Sequence, residues 1–239
     1  MAESIVKPLT HLETHTAPWP LLKICGLTRR SDLELALELG AEALGFVFHP
    51  ASPRAVMPTQ VQALLRDLPT DYAKVARVGV FVNTPPTQIL QVAEVAGLSH
   101  VQLHGHERLA EMQVLLASPY RCLKAVRLEN PDSLAAALAW PAEVQVLVEA
   151  GSQAATASGH WGGSGQLANW ELAARLAQQR PILLAGGLNP HNLAQAVAAV
   201  QPLGCDLASG VEAAPGHKDP RSLRALFAVR QHIMEQSLI

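Results

Sequence analysis

The chain has 239 residues, of which 49% are hydrophobic and 16% charged, so it can bury a sizeable core and is globular rather than disordered. Its 18 lysines and arginines against 20 acidic residues leave a net charge of -2, which gives no footing for nucleic acid or an anionic membrane and favours a small-molecule partner. Three cysteines, Cys25, Cys122 and Cys205, in no paired or metal-type spacing argue against a disulfide framework and for a reducing compartment.

The first twenty residues show no basic segment leading into an apolar core, and no later run approaches the ~20 apolar residues that span a bilayer. The expectation is a cytoplasmic protein. Residues 1–20 carry three prolines and no sustained periodicity, and read as an extension. His11, Glu13 and His15 alternate there, but without a third ligand in defined spacing they suit a solvated tail better than a metal site.

From Leu21 onward, short aliphatic or β-branched runs alternate with longer stretches whose apolar residues recur at helical spacing. Strands are predicted at Leu21 to Cys25, Ala43 to Phe48, Ala76 to Val82, His100 to Leu103, Arg121 to Val126, Val144 to Val148, Pro181 to Leu184 and Gly204 to Leu207. Helices are predicted at Ser31 to Leu39, Pro58 to Leu68, Thr87 to Ala96, Glu107 to Leu116, Pro131 to Leu138, Asn169 to Gln178, Pro190 to Val200 and Pro220 to His232. Several open on a capping residue or on a first-turn proline, whose missing N–H costs nothing there. Eight βα units fit a single closed (β/α)8 TIM barrel over residues 21–239, whereas an open doubly wound sheet uses fewer strands.

Barrel sites sit at the C-terminal strand ends. There the chain places Cys25 after the first strand, Arg54 beyond the second, Asn83 after the third, His104 after the fourth and Glu149 after the sixth. Gly186-Gly187 and Ser209-Gly210 follow strands seven and eight, where backbone N–H groups commonly hold phosphate; tight turns are the plainer reading of either pair alone. Gly162 and Gly163, in Gly162-Gly163-Ser164-Gly165, fit a cover that also donates N–H groups, or a plain linker. Cys25 alone is as well explained as a small buried hydrophobe. Beside Lys23 and near Arg29, its thiol is expected to shift down and serve as a base. Glu149, at the end of an apolar strand, is expected to be raised by burial and to act as a general acid. Arg54 is either a surface arginine or a carboxylate clamp.

These residues lie in strings that resemble the phosphoribosylanthranilate isomerases of tryptophan biosynthesis. The strings are Lys23-Ile24-Cys25-Gly26-Leu27-Thr28-Arg29, Gly45-Phe46-Val47-Phe48 with Ser52-Pro53-Arg54, Gly79-Val80-Phe81-Val82-Asn83, and Val101-Gln102-Leu103-His104-Gly105. They continue with the glycine turn before Trp170, with Leu184-Ala185-Gly186-Gly187-Leu188, and with Asp206-Leu207-Ala208-Ser209-Gly210-Val211-Glu212 followed by Pro215-Gly216 and Lys218-Asp219. The resemblance implies an Amadori rearrangement of N-(5-phosphoribosyl)anthranilate to the 1-deoxyribulose aminoketose, with no cofactor and no metal. It makes Cys25 the base at C2 of the opened sugar and Glu149 the acid at the ring oxygen. Arg54 becomes the holder of the anthranilate carboxylate, and Asp206 and His104 substrate-binding residues. A homodimer is left open.

Three positions depart from the family pattern: Glu149 stands where aspartate is usual, Asn169 precedes Trp170 in place of an aspartate, and Ala208 replaces a common serine. A related barrel isomerase of histidine biosynthesis would carry aspartate at the position of Cys25, which argues against that reading. A degenerate barrel that binds the phosphorylated ligand without turnover is the other competing reading.

Overall fold

A computed structural model describes residues 20–149 and 169–236. The aliphatic runs form eight parallel strands: β1 (Leu21–Ile24), β2 (Ala43–Val47), β3 (Ala76–Phe81), β4 (His100–Leu103), β5 (Arg121–Arg127), β6 (Val144–Glu149), β7 (Ile182–Leu184) and β8 (Gly204–Leu207). Each pairs with the next, and β8 pairs back onto β1 with Lys23 opposite Asp206, so the sheet closes into a barrel. Eight helices are described around it: α1 (Arg30–Glu38), α2 (Pro58–Leu65), α3 (Pro86–Ala96), α4 (Leu109–Leu116), α5 (Pro131–Leu138), α6 (Trp170–Ala177), α7 (Leu193–Val200) and α8 (Pro220–Gln236). None of the described helices is long and apolar enough to cross a membrane.

The local chemistry explains the boundaries. Pro58, Pro86, Pro131 and Pro220 open their helices, and the Asn130 and Asn169 side chains accept from Ser133 and Leu172 N–H at the starts of α5 and α6. Three helices are shorter than the periodicity predicts. α4 starts at Leu109 rather than Glu107, because the Glu107 carboxylate is already held by Lys124 and by the N–H groups of Asn83 and Gly105. α7 starts at Leu193 rather than Pro190, because Asn189 and Asn192 close a turn on each other's backbone neighbourhood first. α2 stops at Leu65, with Arg66 extended and Asp67 at φ 58°. A short hairpin, β9 (Glu212–Ala214) with β10 (His217–Lys218), turns through Pro215 and Gly216 and was not among the predicted elements.

Alternation along the strands sorts the core. Leu22, Ile24, Leu44, Phe46, Val101, Leu103, Val144, Val146, Val148, Cys205 and Leu207 pack outward in one large cluster with the helices. Ala43, Val78, Leu123, Leu147 and Leu183 form a smaller cluster inside the barrel. The same period of two puts Lys23, Gln102 and Asp206 inside and carries Cys25, His104 and Glu149 to the C-terminal mouth. The expected N-terminal extension lies, but for Pro20, outside the described residues.

Candidate active site

Cys25, Arg54, His104, Glu149 and Asp206, drawn from strands far apart in sequence, line one pocket in the barrel mouth together with Gln102. Glu149 ends β6 and is 8% exposed. Its Oε2 lies 2.5 Å from His104 Nε2, while His104 Nδ1 lies 3.0 Å from the amide nitrogen of Gln102. Arg127 Nη2 stands 3.9 Å from the same oxygen. Burial pushes the Glu149 carboxyl up, but the His104 charge and hydrogen bond, with Arg127 and Lys23, outweigh it and hold it below the usual range. This corrects the expectation of a raised, protonated Glu149.

The thiol is corrected in the opposite sense. Cys25 follows β1, and burial, with Asp206 adding to it, holds its pKa above the ordinary value despite Lys23 and Lys218. Lys23 is committed to Asp206 at 2.9 Å, the two side chains being 2% and 9% exposed. Burial opposes the Lys23 charge, but Asp206 and Cys25 raise its pKa overall. The thiol also sits against β2: a Cβ on Gly45 would lie 2.7 Å from Cys25 Sγ and 3.0 Å from its Cα.

Arg54 is less free than a carboxylate clamp requires. Its Nε and Nη2 donate to Glu212 at 3.0 and 2.6 Å, leaving Nη1 as its one uncommitted guanidinium nitrogen among the described residues. Glu212 also accepts from Lys218 Nζ at 2.8 Å, and the same ammonium donates to the carbonyls of Cys25 at 2.6 Å and Ala208 at 3.1 Å. Arg54 and Lys218 hold the Glu212 carboxyl down against its burial.

Past β7, Gly186 and Gly187 take φ of 86° and 65°, a conformation that suits glycine. Past β8, Ser209 and Gly210 open a single 3₁₀ turn, and a Cβ on Gly210 would collide with the Leu188 carbonyl oxygen. The two turns are therefore packed together, and their N–H groups find no acceptor among the described residues. Gly162 and Gly163 lie outside the described residues.

Sequence reasoning missed Lys218, Glu212, Arg127 and Gln102 as parts of this network. Gln102 had a usable signal, since it shares the inward phase of His104 two residues on. Lys218 and Glu212 stood in the family-like strings, but nothing in those strings gave their contacts to Cys25 and Arg54, which lie 193 and 158 residues away. Cys122 and Cys205 are buried strand residues, as expected, with burial raising the Cys122 thiol to about 11. Among the described residues no three potential metal ligands gather.

A closed parallel barrel whose mouth joins a thiol, carboxylates and glycine turns after β7 and β8 has the architecture of a barrel enzyme with its candidate active site at the C-terminal strand ends. A family profile described as N-(5'-phosphoribosyl)anthranilate (PRA) isomerase matches residues 22–229. An N-(5'-phosphoribosyl)anthranilate isomerase of Pelobacter propionicus is 40% identical over 216 residues, covering 90% of this chain and 98% of that protein. The crystal structure of monomers generated from the dimeric Thermotoga maritima phosphoribosylanthranilate isomerase superposes with a TM-score of 0.76 at 34% identity, over 89% of this chain and 98% of that one. A phosphoribosylanthranilate isomerase bound to reduced 1-(o-carboxyphenylamino)-1-deoxyribulose 5-phosphate superposes with a TM-score of 0.75 at 34% identity and the same coverage. The chain belongs to the N-(5'-phosphoribosyl)anthranilate isomerase family.

Proposed function

We propose that the chain isomerises N-(5'-phosphoribosyl)anthranilate to 1-(2-carboxyphenylamino)-1-deoxyribulose 5-phosphate, with Glu149 as general acid and Cys25 as general base. The observation that carries the assignment of roles is that Cys25 and Glu149 line one pocket with Asp206 and His104. Kinship with a relative that binds a reduced form of the product supports the main reading over a barrel without turnover.

In the proposed reaction Glu149 protonates the furanose ring oxygen as the C1–O bond breaks, giving the protonated imine, and Cys25 then takes the proton from C2. The resulting neutral enamine-enol becomes the ketone as C1 gains a proton and the C2 hydroxyl loses one. Acid and base need Glu149 protonated and Cys25 ionised, whereas the free site favours the reverse placement of the same single proton. The reactive form is then a minor tautomer of the resting pair. The free N–H groups after β7 and β8 support a phosphate role for Gly186, Gly187, Ser209 and Gly210, with Gly162 and Gly163 as further donors. Arg54 would meet the anthranilate carboxylate through Nη1, and Asp206 would orient the substrate from beside Lys23. We place the enzyme in the cytoplasm and infer a homodimer, which the dimeric Thermotoga maritima relative supports; sedimentation at monomer mass across the working concentration range would remove the dimer.

The test follows the loss of freshly made substrate by fluorescence, comparing the parent with Cys25→Ala, Glu149→Gln and Glu149→Asp. Turnover by the parent and near loss in Cys25→Ala and Glu149→Gln is the expected result. A parent that binds product without turnover would overturn the activity, and an active Glu149→Gln would move the acid role elsewhere.

A further inference from the structure

β5 and β6 pair from Cys122 opposite Val144 to Arg127 opposite Glu149, the longest register in the barrel, and the pairing ends at the mouth with those last two residues side by side. Leu123 and Leu147 point into the barrel, and the period of two along each strand turns Arg127 and Glu149 to the same inner side. A guanidinium and the carboxyl assigned to the acid role therefore rise into the mouth together.

Both basic groups that reach this carboxyl meet the same oxygen. His104 Nε2 stands 2.5 Å from Oε2 and Arg127 Nη2 3.9 Å from it, whereas Oε1 has no hydrogen bond or ion pair among the described residues. His104 follows β4 and Arg127 ends β5, so both approach from one flank of β6, while Cys25 lies on the other, past β7 and β8. At 3.9 Å the guanidinium acts through its charge and not as a hydrogen-bond donor, so it holds the ionised carboxylate and not the neutral acid.

Arg127 lines a groove of about 240 Å³ with His104, Glu149 and the turn between β5 and α5, but it does not line the pocket that joins Cys25, Arg54 and Asp206. It thus reaches the acid from behind, away from the reacting atoms. A glutamate carboxyl turns on one more torsion than the aspartate usual in the family, and a displacement on the order of 1 Å can cost ~10²-fold in rate. The longer side chain needs a second hold.

We propose that Arg127 is a positioning residue for Glu149: with His104 it anchors Oε2 on the β5 side and leaves Oε1 as the oxygen that hands its proton to the substrate. This rests on Glu149 as the general acid. The groups facing the carboxyl are His104 on β4, Arg127 on β5, Lys23 and Cys25 at β1 and Asp206 on β8, with His49 and Arg54 beyond β2 in the same pocket and His106 and Glu129 along the groove. Burial raises the carboxyl, and His104, then Arg127 and Lys23, lower it, so removal of Arg127 lets it rise.

Turnover of freshly made substrate is followed across pH for the full chain, Arg127→Gln, Arg127→Lys and Glu149→Gln, and Arg127→Gln is repeated in a Glu149→Asp background. Arg127→Gln should lower kcat about tenfold or more with KM within about threefold, and move the acidic limb of kcat/KM to higher pH. Arg127→Lys keeps the charge and should recover the limb and part of kcat. Arg127→Met gives the same test if glutamine unsettles the fold. Beside Glu149→Asp, whose carboxyl is withdrawn by one methylene, the Arg127 change should cost less than about threefold. Unchanged kcat and limb overturn the proposal, as does an equal loss in both backgrounds or a loss confined to KM, which would put Arg127 on the substrate. An active Glu149→Gln removes the acid reading and this proposal with it; an inactive Glu149→Gln beside an unaffected Arg127→Gln removes this proposal alone.

Discussion

Lys218 Nζ donates to the carbonyl oxygen of Cys25 at 2.6 Å although 193 residues separate the two. The ammonium is fully buried and satisfies Ala208 and Glu212 as well, so three acceptors depend on one side chain. Lys218→Met is expected to lower unfolding stability by about 3 kcal/mol, the cost of breaking a buried pair from one side. Urea unfolding measures it; a loss under about 1 kcal/mol would mean that Arg54 and water satisfy Glu212 and the carbonyls unaided.

The opposed shifts of Cys25 and Glu149 fix the shape of the pH profile. Below the lowered Glu149 pKa both groups are protonated and the base is lost; above the raised Cys25 pKa both are ionised and the acid is lost. Between them the total proton count of the pair, and so the fraction of its reactive tautomer, stays constant. We expect kcat/KM to be flat across neutrality, with an acidic limb below the ordinary glutamate value of 4.5 and a basic limb above the ordinary cysteine value of 9.0. A narrow bell centred near neutrality would show that the site does not hold these states.

His104→Asn removes the strongest of the groups that hold Glu149 ionised, while burial remains to push its pKa up. The acidic limb should therefore move to higher pH. If kcat drops with that limb in place, His104 acts on the substrate and not through Glu149.

Gly45→Ala tests how tightly the thiol is held. The new Cβ meets Cys25 at its sulfur and its backbone, neither of which is the end of a flexible chain. A displacement on the order of 1 Å at the base should cost about 10²-fold in kcat, with KM little changed. Unchanged turnover in a folded variant would show that the strand moves and the sulfur does not.

The barrel was legible because strand and helix periods differ along the chain, and β1 to β8 fall where the aliphatic runs predict, within one or two residues. The inward phase of Cys25, His104 and Glu149 was legible for the same reason. Their protonation states were not. Reading Glu149 as raised weighed its burial alone, and His104, 45 residues upstream, reverses the balance. Reading Cys25 as lowered weighed the nearby Lys23 and Arg29, whereas burial raises the thiol and Asp206, 183 residues from Lys23, takes up the Lys23 charge. Period and turn chemistry are local, whereas electrostatics is decided by whichever strands closure brings together.

The seam between β1 and β8 also sets an order of events during synthesis. Lys23 and Cys25 leave the ribosome early, yet the carboxylate that binds Lys23 and the ammonium that holds the Cys25 carbonyl are encoded near the other end. At ~5–20 residues per second, on the order of ten to forty seconds pass between them. Throughout that interval the nascent chain carries an unshielded thiol and no complete site, so the first-made strand gains its chemistry only when the last-made one arrives.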